Sequence, residues 1–189
     1  NGVSGYTRIS GNGKYVGFNS GADNLVLDDS NDAWDVFVTE NPHLFTLNPG
    51  LNDAWYNADT NGQGFFITVY PDLGKVSLAW LTYDTVLPAA ATTANLGDPG
   101  HRWMTAIGKY VDNQAFLGIT ITSGGLFDTP TNIERTNPRG SYGAIILTFD
   151  NCSTGTVEYE IPSINKFGTI PIKRVAGDNT KYCEALNMY

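Results

Sequence analysis

The groups that could do chemistry in this chain are few and far apart: Cys152 and Cys183, His43 and His101, and a run of carboxylates between Asp28 and Asp35. An even pair of cysteines in an aromatic-rich chain with little lysine suggests a Cys152–Cys183 disulfide and an oxidising compartment. A bridge would also remove the only thiol nucleophiles. Two separated histidines leave too few nitrogen or sulfur ligands for zinc. The one approach to a serine-hydrolase elbow, Arg139-Gly-Ser-Tyr-Gly143, lacks glycine at its first position. With no nucleophile, base and orienting group in sight, the chain reads as a non-enzyme with no catalytic residue.

Two constellations remain as binding candidates. Asp29, Asn31 and Asp35, with Asp28 and Asp32 beside them, concentrate oxygen ligands in one turn, which suits calcium. The spacing is not that of an EF-hand loop, and the same residues are ordinary turn formers that bond local backbone N–H groups. No other cofactor is expected. The aromatic set Trp55, Tyr56, Trp80, Tyr83 and Trp103, with His101 next to the last, either lines a glycan or small-molecule pocket or fills the core.

The elements that must position these groups are strands. The chain has 189 residues, with 21 Gly, 9 Pro and 12% aromatics, which favours many short strands and turns. Strand patterns run over Tyr6–Ser10, Tyr15–Asn19 and Asp35–Thr39. Asn41 to Gly50, with Pro42 and Pro49, reads as a linker. From Leu51 onward longer runs follow: Ala54–Asn57, Gly64–Tyr70, Lys75–Tyr83, Arg102–Gly108, Gln114–Ser123, Tyr142–Asp150, Gly155–Pro162 and Gly168–Val175. That is about eight strands, mostly in consecutive hairpins, so an antiparallel barrel or closed sandwich is expected over 51–189. Leu87–Gly100 and Gly124–Gly140 are longer irregular loops, where binding function tends to sit. Along Lys75–Tyr83 both faces carry sizeable apolar groups, so that strand is expected to be covered on both sides, and Trp103 reads as part of a half-buried strand. Lys181–Asn187 reads as a short helix carrying Cys183, the bridge stapling the C-terminal tail.

Charge narrows the partners. The net charge is −8, and residues 1–44 hold Arg8 and Lys14 against Asp23, Asp28, Asp29, Asp32, Asp35 and Glu40. Nucleic acid and anionic membrane are disfavoured, and no apolar run approaches the roughly 20 residues of a membrane-spanning helix. The chain opens at Asn1 without a visible signal peptide, so removal of a signal or excision from a longer precursor is expected.

Two resemblances add to this. Ser10-Gly-Asn-Gly-Lys-Tyr-Val-Gly-Phe-Asn-Ser20, running into Asn24-Leu-Val-Leu-Asp-Asp-Ser-Asn-Asp-Ala-Trp-Asp-Val-Phe-Val38, resembles a single repeat of the TolB-type, WD40-like β-propellers. Trp55-Tyr-Asn, Gly62-Gln-Gly-Phe-Phe, Ala79-Trp-Leu-Thr-Tyr83, Gly100-His-Arg-Trp103, Ser123-Gly-Gly and a closing Cys-x-x-Gly segment resemble a C-terminal β domain of secreted bacterial proteins of unknown function, over residues 50–186. That second resemblance implies a secreted, extracellular or cell-surface location and a fold, without an activity.

A propeller closes with about four or more blades, and this chain holds one. Residues 1–40 are therefore expected to form a β-rich arm that buries Tyr15, Val16, Phe18, Leu25, Val26, Trp34, Val36 and Phe37 against another surface. Two function classes follow. In the first, the protein is a structural or adhesive subunit whose arm adds to the next copy head-to-tail, building a filament. In the second, it is a binding module from a larger propeller-containing protein, with Trp55, Tyr56, Tyr83, His101 and Trp103 at its ligand site.

Overall fold

The structure is a computed structural model describing residues 2–11, 13–27, 29, 31, 33–41, 44–87, 89, 101–130, 134–135 and 140–187. The chain divides into two compact units, Asn1–Leu44 and Phe45–Tyr189.

The first unit is a three-stranded antiparallel sheet in the order β1 (Ser4–Ile9), β2 (Tyr15–Ser20) and β3 (Asp35–Glu40). A register shift between Gly5 and Arg8 bulges β1, where Tyr6 takes φ 50°. Strand pairing sets the faces. Val16, Phe18 and Phe37 share one face, where the Phe18 and Phe37 rings stack at 5.5 Å. Tyr15, Val36 and Val38 lie on the other.

The second unit is a closed eight-stranded antiparallel barrel. It is built from β4 (Asp53–Tyr56), β5 (Gly64–Tyr70), β6 (Lys75–Tyr83), β7 (His101–Val111) and β8 (Gln114–Thr120). The two-residue strands β9 (Thr122–Ser123) and β10 (Glu134–Arg135) pair with each other outside it, so the expected strand Gln114–Ser123 ends in the wall at Thr120 and its last two residues pair with β10 from the expected loop 124–140. β11 (Gly143–Phe149), β12 (Thr154–Ile161) and β13 (Lys166–Arg174) complete the wall, and β13 closes on β4 through Arg174 opposite Trp55. Period-two alternation fills the interior. Phe65, Ile67 and Val69 of β5, Val76, Leu78 and Trp80 of β6, Ala115, Leu117 and Ile119 of β8, and Ile145, Leu147 and Phe149 of β11 are all buried.

The outer wall carries Lys75, Lys109, Glu158 and Lys173, all exposed. The same wall also exposes Phe66, Trp103, Phe116 and Phe167, so its outer surface mixes charged and apolar groups. No helix among the described residues is long and apolar enough to cross a membrane.

One end of the barrel is sealed. The helix α1 (Thr180–Leu186) brings Cys183 to Cys152 at an S–S distance of 2.02 Å, forming the expected disulfide. A one-turn helix at Pro49–Leu51 lies against α1 so closely that a Cβ on Gly50 would meet the Cys183 backbone at 2.3 Å. Arg174 ties the parts together. Its guanidinium donates to the Gly50 carbonyl at 2.6 Å, to the Cys152 carbonyl and to Asp53 at 2.7 Å, and stacks on the Trp55 ring at 4.7 Å.

Three expectations are corrected. The stretch 41–50 is not a free linker from end to end. Pro42 and His43 lie outside the described residues, but Leu47, Asn48 and Gly50 are buried in the barrel plug, because Asn48 caps Pro49–Leu51 and reaches the Cys183 carbonyl at 3.3 Å. β6 is covered on one face only: Leu81 and Tyr83 point outward and are 42% and 44% exposed. Trp103 also faces outward, 58% exposed, because its neighbour Met104 takes the inward position opposite Trp80.

Candidate ligand cleft

At the barrel end opposite the plug lie the connections β4–β5, β6–β7 and β8–β11, which span residues 57–63, 84–100 and 121–142, and the four-residue turn 162–165 between β12 and β13. The plugged end carries short turns, at Pro71–Gly74, Asp112–Asn113 and Asp150–Ser153. A cleft of about 910 Å³ opens at this rim and descends into the barrel. Its size falls within the range of small-molecule sites.

Strand parity builds its floor. Phe65, Trp80 and Tyr159 project inward from β5, β6 and β12, and their rings meet in sequence, Phe65 to Trp80 at 5.2 Å and Trp80 to Tyr159 edge-on at 5.1 Å. Tyr159 sits opposite Gly168 in the ladder; a Cβ on Gly168 would lie 3.0 Å from the Tyr159 hydroxyl, so this glycine leaves the ring its place. Met104, Ile161 and Ile170 form an aliphatic wall, with Tyr142 beside them.

The polar groups are arranged by depth. At the rim, Arg102 pairs with Asp84 at 2.8 Å, and Lys166 stands exposed at the head of β13. Just inside, the Thr82 hydroxyl donates to Gln63 Oε1 at 2.6 Å, which leaves the Gln63 amide nitrogen to the cleft. The phenol oxygens of Tyr142 and Tyr159 make no hydrogen bond to other described residues. No charged side chain lies below the rim among the described lining residues.

The five aromatic candidates separate. Tyr83 and Trp103 border the cleft from the outer side of the rim. Trp55 does not reach it: it is buried at the sealed end, donates Nε1–H to the Leu51 carbonyl at 3.1 Å and packs on Phe149. Tyr56, next in β4, points the other way, and Lys173 Nζ lies over its ring at 5.2 Å. The His101 side chain lies outside the described residues. Trp80 forms the floor, and Phe65, Tyr142 and Tyr159 were not singled out by sequence. Their signal was parity: Val157, Tyr159 and Ile161 repeat every second residue in one strand.

The other candidates are placed as follows. Asn31 Oδ1 accepts from the Ala33 backbone N–H at 2.9 Å, and its amide nitrogen lies 3.5 Å from Asp35 Oδ1, an Asx turn. Asp28 and Asp32 lie outside the described residues, and no group of three potential ligands converges among the described ones. Of the arm residues, Val16, Phe18 and Phe37 are half-buried, whereas Tyr15, Leu25, Val26, Trp34 and Val36 are exposed. The eight residues do not form one face. Comparison with protein-family models, curated proteins and solved structures finds no match to this chain.

Proposed function

We propose that the barrel is an extracellular ligand-binding module that takes a small molecule or glycan into its open end. One observation carries this reading: an aromatic-floored cleft at one end of a barrel whose opposite end is plugged and disulfide-stapled. The bridge supports an oxidising location. The chain acts by binding, and its N-terminal sheet, read as one propeller-type blade, joins it to a larger assembly. Tryptophan fluorescence and thermal shift across a panel of small molecules and oligosaccharides test the reading. A ligand that stabilises the protein should lose its effect in Ile170→Trp, which fills the cleft; retained binding in that variant places the site elsewhere.

A second reading is favoured by the N-terminal unit itself. Val36 is 80% and Val38 70% exposed on one face of the sheet, Ile9 62% on the other, and among the described residues β1 and β3 each have one neighbour strand. A sheet with two open edges and apolar groups outward invites strand addition. In this reading the protein is a structural or adhesive subunit whose arm adds to a second copy head-to-tail. Concentration-dependent sedimentation with filaments in electron micrographs supports it; a monomer at high concentration rejects it.

A further inference from the structure

We infer that the ligand of the cleft is an uncharged molecule with an apolar ring face and at least one hydroxyl or carbonyl group. The inference rests on the reading of the cleft as a binding site and names what enters it. Depth decides the charge. Asp84, Arg102 and Lys166 all stand at the rim, and Arg102 and Asp84 already compensate each other at 2.8 Å. A carboxylate or ammonium carried to the floor would leave water and meet no opposite charge among the described lining residues, a cost that burial of ions makes severe.

The floor decides the shape. Phe65 and Tyr159 flank Trp80, with ring centroids 5.2 and 5.1 Å from it, a surface that flat rings pack against in offset or edge-on geometry. Met104, Ile161 and Ile170, the aliphatic part of the lining, offer no side chain that hydrogen-bonds strongly. A sugar with hydroxyls around its whole ring would leave several unpaired there, so the walls favour an apolar ring with few polar substituents.

Gln63, Tyr142 and Tyr159 decide the polar group. A phenol both donates and accepts, and the Gln63 amide nitrogen donates. Together they match a neutral hydroxyl or carbonyl.

The test holds the ring constant and varies the charge. 1-Naphthalenemethanol, 1-naphthoate and 1-naphthylmethylammonium are titrated into the full chain, with cellobiose as a neutral sugar, reading Trp fluorescence and the aromatic NMR resonances of Tyr142 and Tyr159. The alcohol is expected to bind at least ten-fold tighter than either ion and tighter than cellobiose. Tyr159→Phe should weaken the alcohol about five-fold and leave 1-methylnaphthalene unchanged, a comparison that misfolding would not reproduce. Either ion binding as tightly as the alcohol, or cellobiose binding more tightly, overturns the inference while the cleft stands as a site. If none of these compounds perturbs the cleft resonances, the binding-module reading itself falls.

Discussion

Arg174 shows how one side chain holds a fold end together. Its guanidinium is buried, with three different partners and a ring beneath it. Arg174→Met should destabilise the protein by about 3 kcal/mol, because Asp53 and two carbonyls lose their donor inside the plug. Arg174→Met combined with Asp53→Asn should recover part of that loss, since the stranded carboxylate is gone. Urea denaturation of the single and double variants measures both. A smaller effect is expected at the open end. Gly168→Ala places a methyl 3.0 Å from the Tyr159 hydroxyl, which can yield toward open space, so the cost should be about 1 kcal/mol. The shifted Tyr159 NMR resonances report the movement.

The elements were legible where a local rule decides them. Gly64–Tyr70 and Lys75–Tyr83 end at the residues their turns dictate, with Pro71 starting a helical turn and Gly74 closing it at φ 58°. β12 and β13 fall within two residues of expectation for the same reason. What sequence could not decide is which side of a strand meets the interior when both sides are apolar. Val76-Leu78-Trp80 and Ala79-Leu81-Tyr83 look alike in hydrophobicity, and only barrel closure sends the first set inward. The site was obscured for the same reason: Trp55 and Trp80 are both inward, yet one lies at the plug and the other at the cleft, a difference of height along the barrel axis that periodicity does not carry. The plug was half visible, as a disulfide and a short helix, but Asn48 and Arg174 bind it through contacts more than 100 residues apart in sequence. Removing the bridge tests its independence from the barrel. Cys152→Ser with Cys183→Ser opens a loop closed over a separation of 31 residues, which should lower stability by about 3–4 kcal/mol in the chain-entropy account. Hydrogen exchange should quicken first in Thr180–Leu186, whereas the β5–β8 ladder stays protected.

At the scale of the whole molecule, the two units differ in how fully they satisfy themselves. The barrel pairs every strand on both sides and buries a continuous core. Among the described residues of the first unit only Ser20 and Ala22 are buried, and no described strand pairs with the outer edges of β1 and β3. Three strands become independently stable when a hydrophobic face is packed, so the arm's stability should depend on what covers it. Deleting residues 1–40 removes that requirement and leaves the 45–51 plug segment in place, so a folded barrel with an unchanged ligand response is expected. If the arm adds to a second copy, the full chain should sediment as larger species with rising concentration, and the truncated chain should remain monomeric. Val36→Lys with Val38→Lys should mimic the deletion if the outward apolar face makes the contact, whereas a proline at Val38 should act if the β3 edge makes it. A full-length monomer at high concentration, with β1–β3 protected from hydrogen exchange, would mean that the arm is covered within its own chain, and head-to-tail assembly would be rejected.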